Sequence, residues 1–135
     1  MKQEKIDNLV EEAINIKPNS YSPYSNFRVG AAIEMNDGEL FTGVNIENVS
    51  FGATNCAERS AIFTAISQGY QPKTIKAIAV SGDTDEFLPP CSICRQVMVE
   101  FCEPETPVYL TRKDGKVLET SVEGLVPFAF STMDM

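Results

Sequence analysis

Cys56-Ala57-Glu58-Arg59 and, further along, Pro90-Cys91-Ser92-Ile93-Cys94 are the two stretches on which the reading of this chain turns. Each stands where a polar, irregular segment gives way to helical spacing, so each brings its thiols to the first turn of a helix. Asn55 is a natural cap for the first helix, and Pro90 suits the start of the second. Backbone N–H groups and the helix dipole favour negative charge at such a terminus, and a metal takes the thiolate rather than the thiol. Three thiolates leave the fourth position of a zinc site free for water. The chain has no histidine, so the first ligand has to be Cys56.

Outward from these stretches the pattern alternates. Ile6, Leu9, Val10, Ala13 and Ile14 keep helical spacing, which predicts an amphipathic helix over residues 4–17 that ends at Lys17-Pro18-Asn19-Ser20. Tyr21 to Asn26 reads as a loop. Phe27 to Met35 and Leu40 to Val44 read as a hairpin turned at Asn36-Asp37-Gly38. Asn45 to Thr54 reads as a loop, and a helix follows from near Cys56 to Gln68-Gly69. Ile75 to Ser81 is a buried-type strand, and Cys91 to Phe101 a helix. Val108 to Thr111 and Val117 to Thr120 are short strands, and Val122 to Leu125 a last helical turn. The alternation predicts one α/β domain over residues 1–135, with a sheet of about five strands.

Composition narrows the function. A net charge of −8 disfavours DNA or RNA, which call for a basic surface. No run of 18 apolar residues is present, so no membrane span is expected. The N-terminal segment lacks the apolar core of a signal peptide. That leads to the expectation of a cytoplasmic protein whose four cysteines stay reduced.

Two simpler readings compete. Asn55-x-x-Glu58 has the form of a capping box, in which the glutamate only closes a helix. Cys91-x-x-Cys94 has the form of a redox pair. The combination of C-x-E with a downstream P-C-x-x-C is more specific than either half, and it favours a metal beside a proton-carrying glutamate. Three thiolates make zinc a weaker Lewis acid, so a nearby cation should offset them. Arg59 and Arg95 are the candidates. Cys102 lies outside the spacing and is expected to fill the inner side of its helix.

At these residues the chain resembles the homotetrameric, three-cysteine cytidine deaminases of nucleoside salvage. Tyr21-Ser22-Pro23-Tyr24-Ser25-Asn26-Phe27-Arg28-Val29-Gly30-Ala31-Ala32 resembles the family's N-terminal signature. Gly43-Val44-Asn45-Ile46-Glu47-Asn48 resembles its ribose-binding segment. The two cysteine stretches match its zinc motifs, and Leu125-Val126-Pro127-Phe128-Ala129-Phe130 is similar to its C-terminal ending. Three positions depart from the pattern: Ser92 replaces a frequent glycine, Val44 a frequent cysteine and Phe51 a frequent tyrosine.

The resemblance implies a three-layer α/β/α fold with a mixed sheet and one zinc ion per chain. It implies hydrolytic deamination of cytidine and 2′-deoxycytidine, releasing ammonia. Cys56, Cys91 and Cys94 would hold the zinc, and Glu58 would shuttle protons. Phe27 would pack on the pyrimidine and Ala57 would line its site. Asn45 and Glu47 would bind the ribose, chiefly its 3′-hydroxyl, and Arg59 would donate to ligand thiolates. A homotetramer with shared active sites would bring Phe51 and Phe130 to a neighbour's substrate. A deaminase of a nucleoside antibiotic, a domain with a four-ligand structural zinc and a nucleic-acid-editing enzyme are the rival readings, the last opposed by the charge of −8.

Overall fold

The computed structural model describes residues 1–133. Helix α1 (Gln3–Ile16) runs into a short 3-10 turn, Lys17–Asn19. Strands β1 (Val29–Met35) and β2 (Leu40–Val44) form the expected hairpin. Helix α2 (Ala57–Ser67) is followed by β3 (Ile75–Gly82), α3 (Ser92–Phe101), β4 (Pro107–Thr111), β5 (Val117–Ser121) and the single turn α4 (Val122–Leu125). The strand order is β2-β1-β3-β4-β5. The β3–β4 pair is parallel and the other three pairs are antiparallel, so the sheet is mixed.

Alternation along the strands divides the core into two layers. Ala31, Ile33, Met35, Ile78, Val80, Val108 and Leu110 pack against Ala57, Ala61, Ile62 and Ala65 of α2 and Met98 and Val99 of α3. On the other face Ala32, Ala77, Ala79 and Tyr109 meet Leu9, Val10 and Ala13 of α1. That second face is mostly alanine, which lets α1 lie close. A methyl placed on Gly30 would stand 2.1 Å from the Ala13 carbonyl oxygen. Helix α2 is equally close on the opposite face: a methyl on Gly43 would stand 2.5 Å from both the Ala57 carbonyl oxygen and the Ala61 amide nitrogen.

Three details differ from the sequence reading. β1 begins at Val29, because Asn26 adopts a left-handed φ of 57° and Phe27 stays outside the ladder. The capping box does not form: Cys56 is the N-cap residue of α2, and the Asn55 amide donates to Ser60 Oγ instead. The segment Asn45 to Thr54 contains a 3-10 turn at Phe51–Ala53.

The sheet order places the N-terminal end of β1 and the C-terminal ends of β2 and β3 at one edge, with Gly30 beside Val44 and Val29 beside Gly82. Ligands of open α/β sheets collect outside the carboxyl ends of strands. Here that edge meets the N-termini of α2 and α3.

Candidate active site

Cys56 and Cys91 hold matching positions as the N-cap residues of α2 and α3. The Cys91 sulfur accepts from the Cys94 amide at 3.4 Å, so one thiol fixes the turn that presents the next. Cys56 Sγ and Cys91 Sγ are 3.7 Å apart, and the three sulfurs of Cys56, Cys91 and Cys94 lie within 4.8 Å of one another. Zinc–sulfur bonds of about 2.3 Å at tetrahedral angles put sulfurs roughly 3.8 Å apart, so the Cys56–Cys91 spacing suits a zinc ion. Cys94 is buried, while Cys91 is open to solvent. The fourth cysteine cannot close the site. Cys102 caps the far end of α3, about 15 Å along a ten-residue helix. Burial pushes its thiol up to about 12.

Within the cluster Cys56 is the thiol biased toward thiolate. The Cys56 thiol is pushed down, first by its hydrogen bond with Cys94 and further by Arg59 and Cys91, against the opposing effect of burial. The same contact with Cys56 pushes Cys94 up, and burial adds to it. Arg59 Nη2 donates to Cys56 Sγ at 3.3 Å, as expected of the offsetting cation. Arg95 does not play that part. Its Nε donates to the Pro90 carbonyl at 2.8 Å and its Nη1 to the Leu125 carbonyl at 3.1 Å, so it braces the turn before Cys91 against α4.

Beside the sulfurs lies a cavity of about 200 Å³, lined in part by Phe27, Asn45, Cys56, Ala57, Glu58 and Cys91. Glu58 is only 4% exposed. Burial pushes its carboxyl up to about 7, and the negative charge of Cys56 adds to the effect. A carboxyl that titrates near neutrality can both take and return a proton.

Val29, Thr54, Leu88 and Pro89 complete the lining and were not legible as site residues. Pro89 precedes the second cysteine stretch, which was the one available hint. Leu88 packs against the end of β3, where a methyl on Gly82 would stand 2.4 Å from Leu88 Cδ2 and 3.4 Å from Phe27 Cζ.

The proposed ribose residues are largely committed to the scaffold. Asn45 Oδ1 accepts from the Val29 amide and from Ser20 Oγ, and Nδ2 donates to the Phe27 carbonyl at 2.7 Å. Glu47 Oε1 accepts from the Tyr24 and Ser25 amides, and Oε2 accepts from Ser25 Oγ. The hydrogen bond from the Ser25 hydroxyl is the first cause holding the Glu47 carboxyl below its ordinary range. An amide offers two N–H donors and a carboxylate about four lone-pair sites, so each side chain keeps one position for a ligand. Glu47 does not line the cavity, and neither do Phe51 and Phe130, which are 77% and 60% exposed.

The family described as "Cytidine and deoxycytidylate deaminase zinc-binding region" matches residues 3–111. The chain belongs to the cytidine deaminase family. It is 50% identical over 127 residues to the cytidine deaminase of Halalkalibacterium halodurans, covering 94% of this chain and 95% of that one. It is 45% identical over 130 residues to that of Sporosarcina psychrophila, covering 96% and 94%. The crystal structure of cytidine deaminase from Burkholderia pseudomallei superposes with a TM-score of 0.90 at 47% identity, over 96% of this chain and all of that one. The mixed five-stranded sheet with helices on both faces is thus the fold of this family, and the three thiols are its zinc-binding set.

Proposed function

We propose that this chain hydrolyses cytidine and 2′-deoxycytidine to uridine and 2′-deoxyuridine with release of ammonia, a reaction of pyrimidine salvage. The observation that carries the reading is the juxtaposition of buried Glu58 with the three-thiol cluster at one cavity. Zinc, when bound by Cys56, Cys91 and Cys94, supplies an activated water. Glu58 would carry one proton of the water to N3 of the pyrimidine as the remaining hydroxide adds to C4. It would then carry the proton of that new hydroxyl to the amine, so that the C4–N bond breaks, ammonia leaves and the C4 carbonyl forms. Phe27 packs against the ring, and Ala57 borders it. The remaining donor of Asn45 and the remaining acceptor site of Glu47 hold the ribose, which separates nucleosides from free cytosine. Arg59 keeps Cys56 as thiolate.

The chain works as one catalytic unit over residues 1–135, in the cytoplasm, with one zinc per chain. Phe51 and Phe130 stand exposed and away from the cavity of their own chain, which supports a homotetramer in which they serve a neighbour's substrate. Asp134 and Met135 lie outside the described residues. No helix of the described residues is long and apolar enough to cross a membrane. The charge of −8 keeps nucleic acid out of the substrate range.

The test is loss of cytidine absorbance with purified protein, before and after treatment with a zinc chelator. Turnover that the chelator abolishes and zinc restores is expected. A zinc-loaded protein that leaves cytidine intact would remove the reading.

A further inference from the structure

Ser25 belongs to no part of the mechanism above, yet it joins two of its members. Its Oγ donates to Glu47 Oε2 and accepts from the Phe27 amide at 3.0 Å. A hydroxyl has one proton to give, and the two bonds use it consistently: outward to the carboxylate, inward from the amide. On the other side of the same residue, the Phe27 carbonyl accepts from Asn45 Nδ2 at 2.7 Å. Phe27 lies outside β1 and follows the left-handed Asn26, so the sheet ladder does not set its backbone. Its two peptide groups are held by the proposed ribose residues, by Asn45 directly and by Glu47 through Ser25.

We propose that Ser25 is a positioning residue, which transmits the fixed place of Glu47 to the Phe27 ring that borders the pyrimidine cavity. The inference rests on the deaminase reading, since it assigns Ser25 a part in seating that substrate. It follows from the connection. Glu47 is buried and held by two amides, so it is an anchor. Ser25 is exposed and has little packing to hold it, so its hydrogen bonds determine its place. Without them the Phe27 amide has no fixed partner at the point where the chain leaves the left-handed turn. The ring then wanders over the cavity mouth, and substrate binds to a less organised surface. The metal cluster, built on α2 and α3, is untouched.

The experiment measures KM and kcat for cytidine, bound zinc and thermal midpoint in Ser25→Ala, Ser25→Thr, Phe27→Ala and the double variant Ser25→Ala/Phe27→Ala. Ser25→Ala should keep one zinc and a near-normal midpoint, and raise KM about tenfold, the usual effect of a hydrogen bond to a charged group. Ser25→Thr keeps the hydroxyl and should stay within about threefold of wild type on the same grounds. In the Phe27→Ala background the Ser25→Ala substitution should change KM by less than about twofold, because its effect passes through the ring. An unchanged KM in Ser25→Ala overturns the proposal. So does a full effect in the absence of the Phe27 ring, which would leave Ser25 acting on Glu47 alone. Loss of zinc or of the fold in Ser25→Ala overturns it as well, since the hydroxyl would then hold the whole loop. Failure of the deaminase reading is seen separately, as a wild-type enzyme that does not consume cytidine.

Discussion

Cys56, Glu58 and Arg59 occupy one helical turn and need three different environments. The thiol meets a guanidinium, the carboxyl is buried, and the guanidinium lies alongside sulfur. Glu58→Gln should keep about one zinc per chain yet lower turnover by about 10²–10⁴-fold, because glutamine cannot carry the proton. Metal analysis beside the cytidine assay checks both halves. Arg59→Gln should lower kcat by about tenfold with a smaller change in KM, as the loss of a charge-assisted bond to a ligand predicts. An unchanged kcat would reduce Arg59 to a helix-surface residue. The cysteines and Glu58 were legible because their spacing is local to two helix starts. Leu88 and Thr54 were not, because only tertiary folding brings them to the cavity. Arg95 was legible as a nearby cation, but its orientation toward two carbonyls is set by α4, which spacing around the cysteines does not reveal.

Elements are tied to the site at points of close approach. Gly43 on β2 is where α2 rests on the sheet, backbone against backbone. Gly43→Ala forces the first turn of α2 outward and should cost about 1–3 kcal/mol in denaturant unfolding, as overpacking does. It should also speed zinc loss to a chelator, because that turn carries Cys56. A second tie joins the end of α1 to the end of β3. Lys17, only 9% exposed, donates to Asp83 at 2.8 Å. That hydrogen bond holds the Asp83 carboxyl below its ordinary value of 3.8. A depressed carboxyl stabilises the fold above its unfolded pKa and loses that contribution as pH falls through the folded value. Asp83→Asn should therefore cost about 1–2 kcal/mol at neutral pH, a figure discounted for the exposure of Asp83. The gap from wild type should close in unfolding curves taken below the ordinary carboxylate range. Most element boundaries were readable to within one residue, since periodicity and turn residues are local signals. The start of β1 was not, because a left-handed Asn26 has the same sequence signature as an ordinary loop residue.

At the scale of the whole molecule, exposed aromatic and apolar side chains point to assembly. Phe51, Phe63, Phe128 and Phe130 are all exposed on the single chain, and the Phe130 carbonyl accepts from Gln96 Nε2 on α3 at 2.7 Å. Light scattering at micromolar concentration should give about four chain masses, the closed arrangement common among such oligomers. Removing the chain from residue 126 onward should lower activity while zinc stays bound, and a fully active monomer would refute the assembly. The layers were legible from alternation, but the strand order was not, since nothing local places β1 between β2 and β3. That order has a consequence for synthesis. The first three strands pair with partners already made, so this half of the sheet can settle once residue 82 has left the ribosome. At that moment the chain carries Glu58 and one cluster thiol. Cys91 and Cys94 emerge later on α3, and β4 must then return beside β3 to finish the parallel pair. A single thiol is a poor trap for metal, so zinc capture waits for the second half of the chain. Metal loading thus follows the emergence of α3, after the first three strands have had the chance to pair.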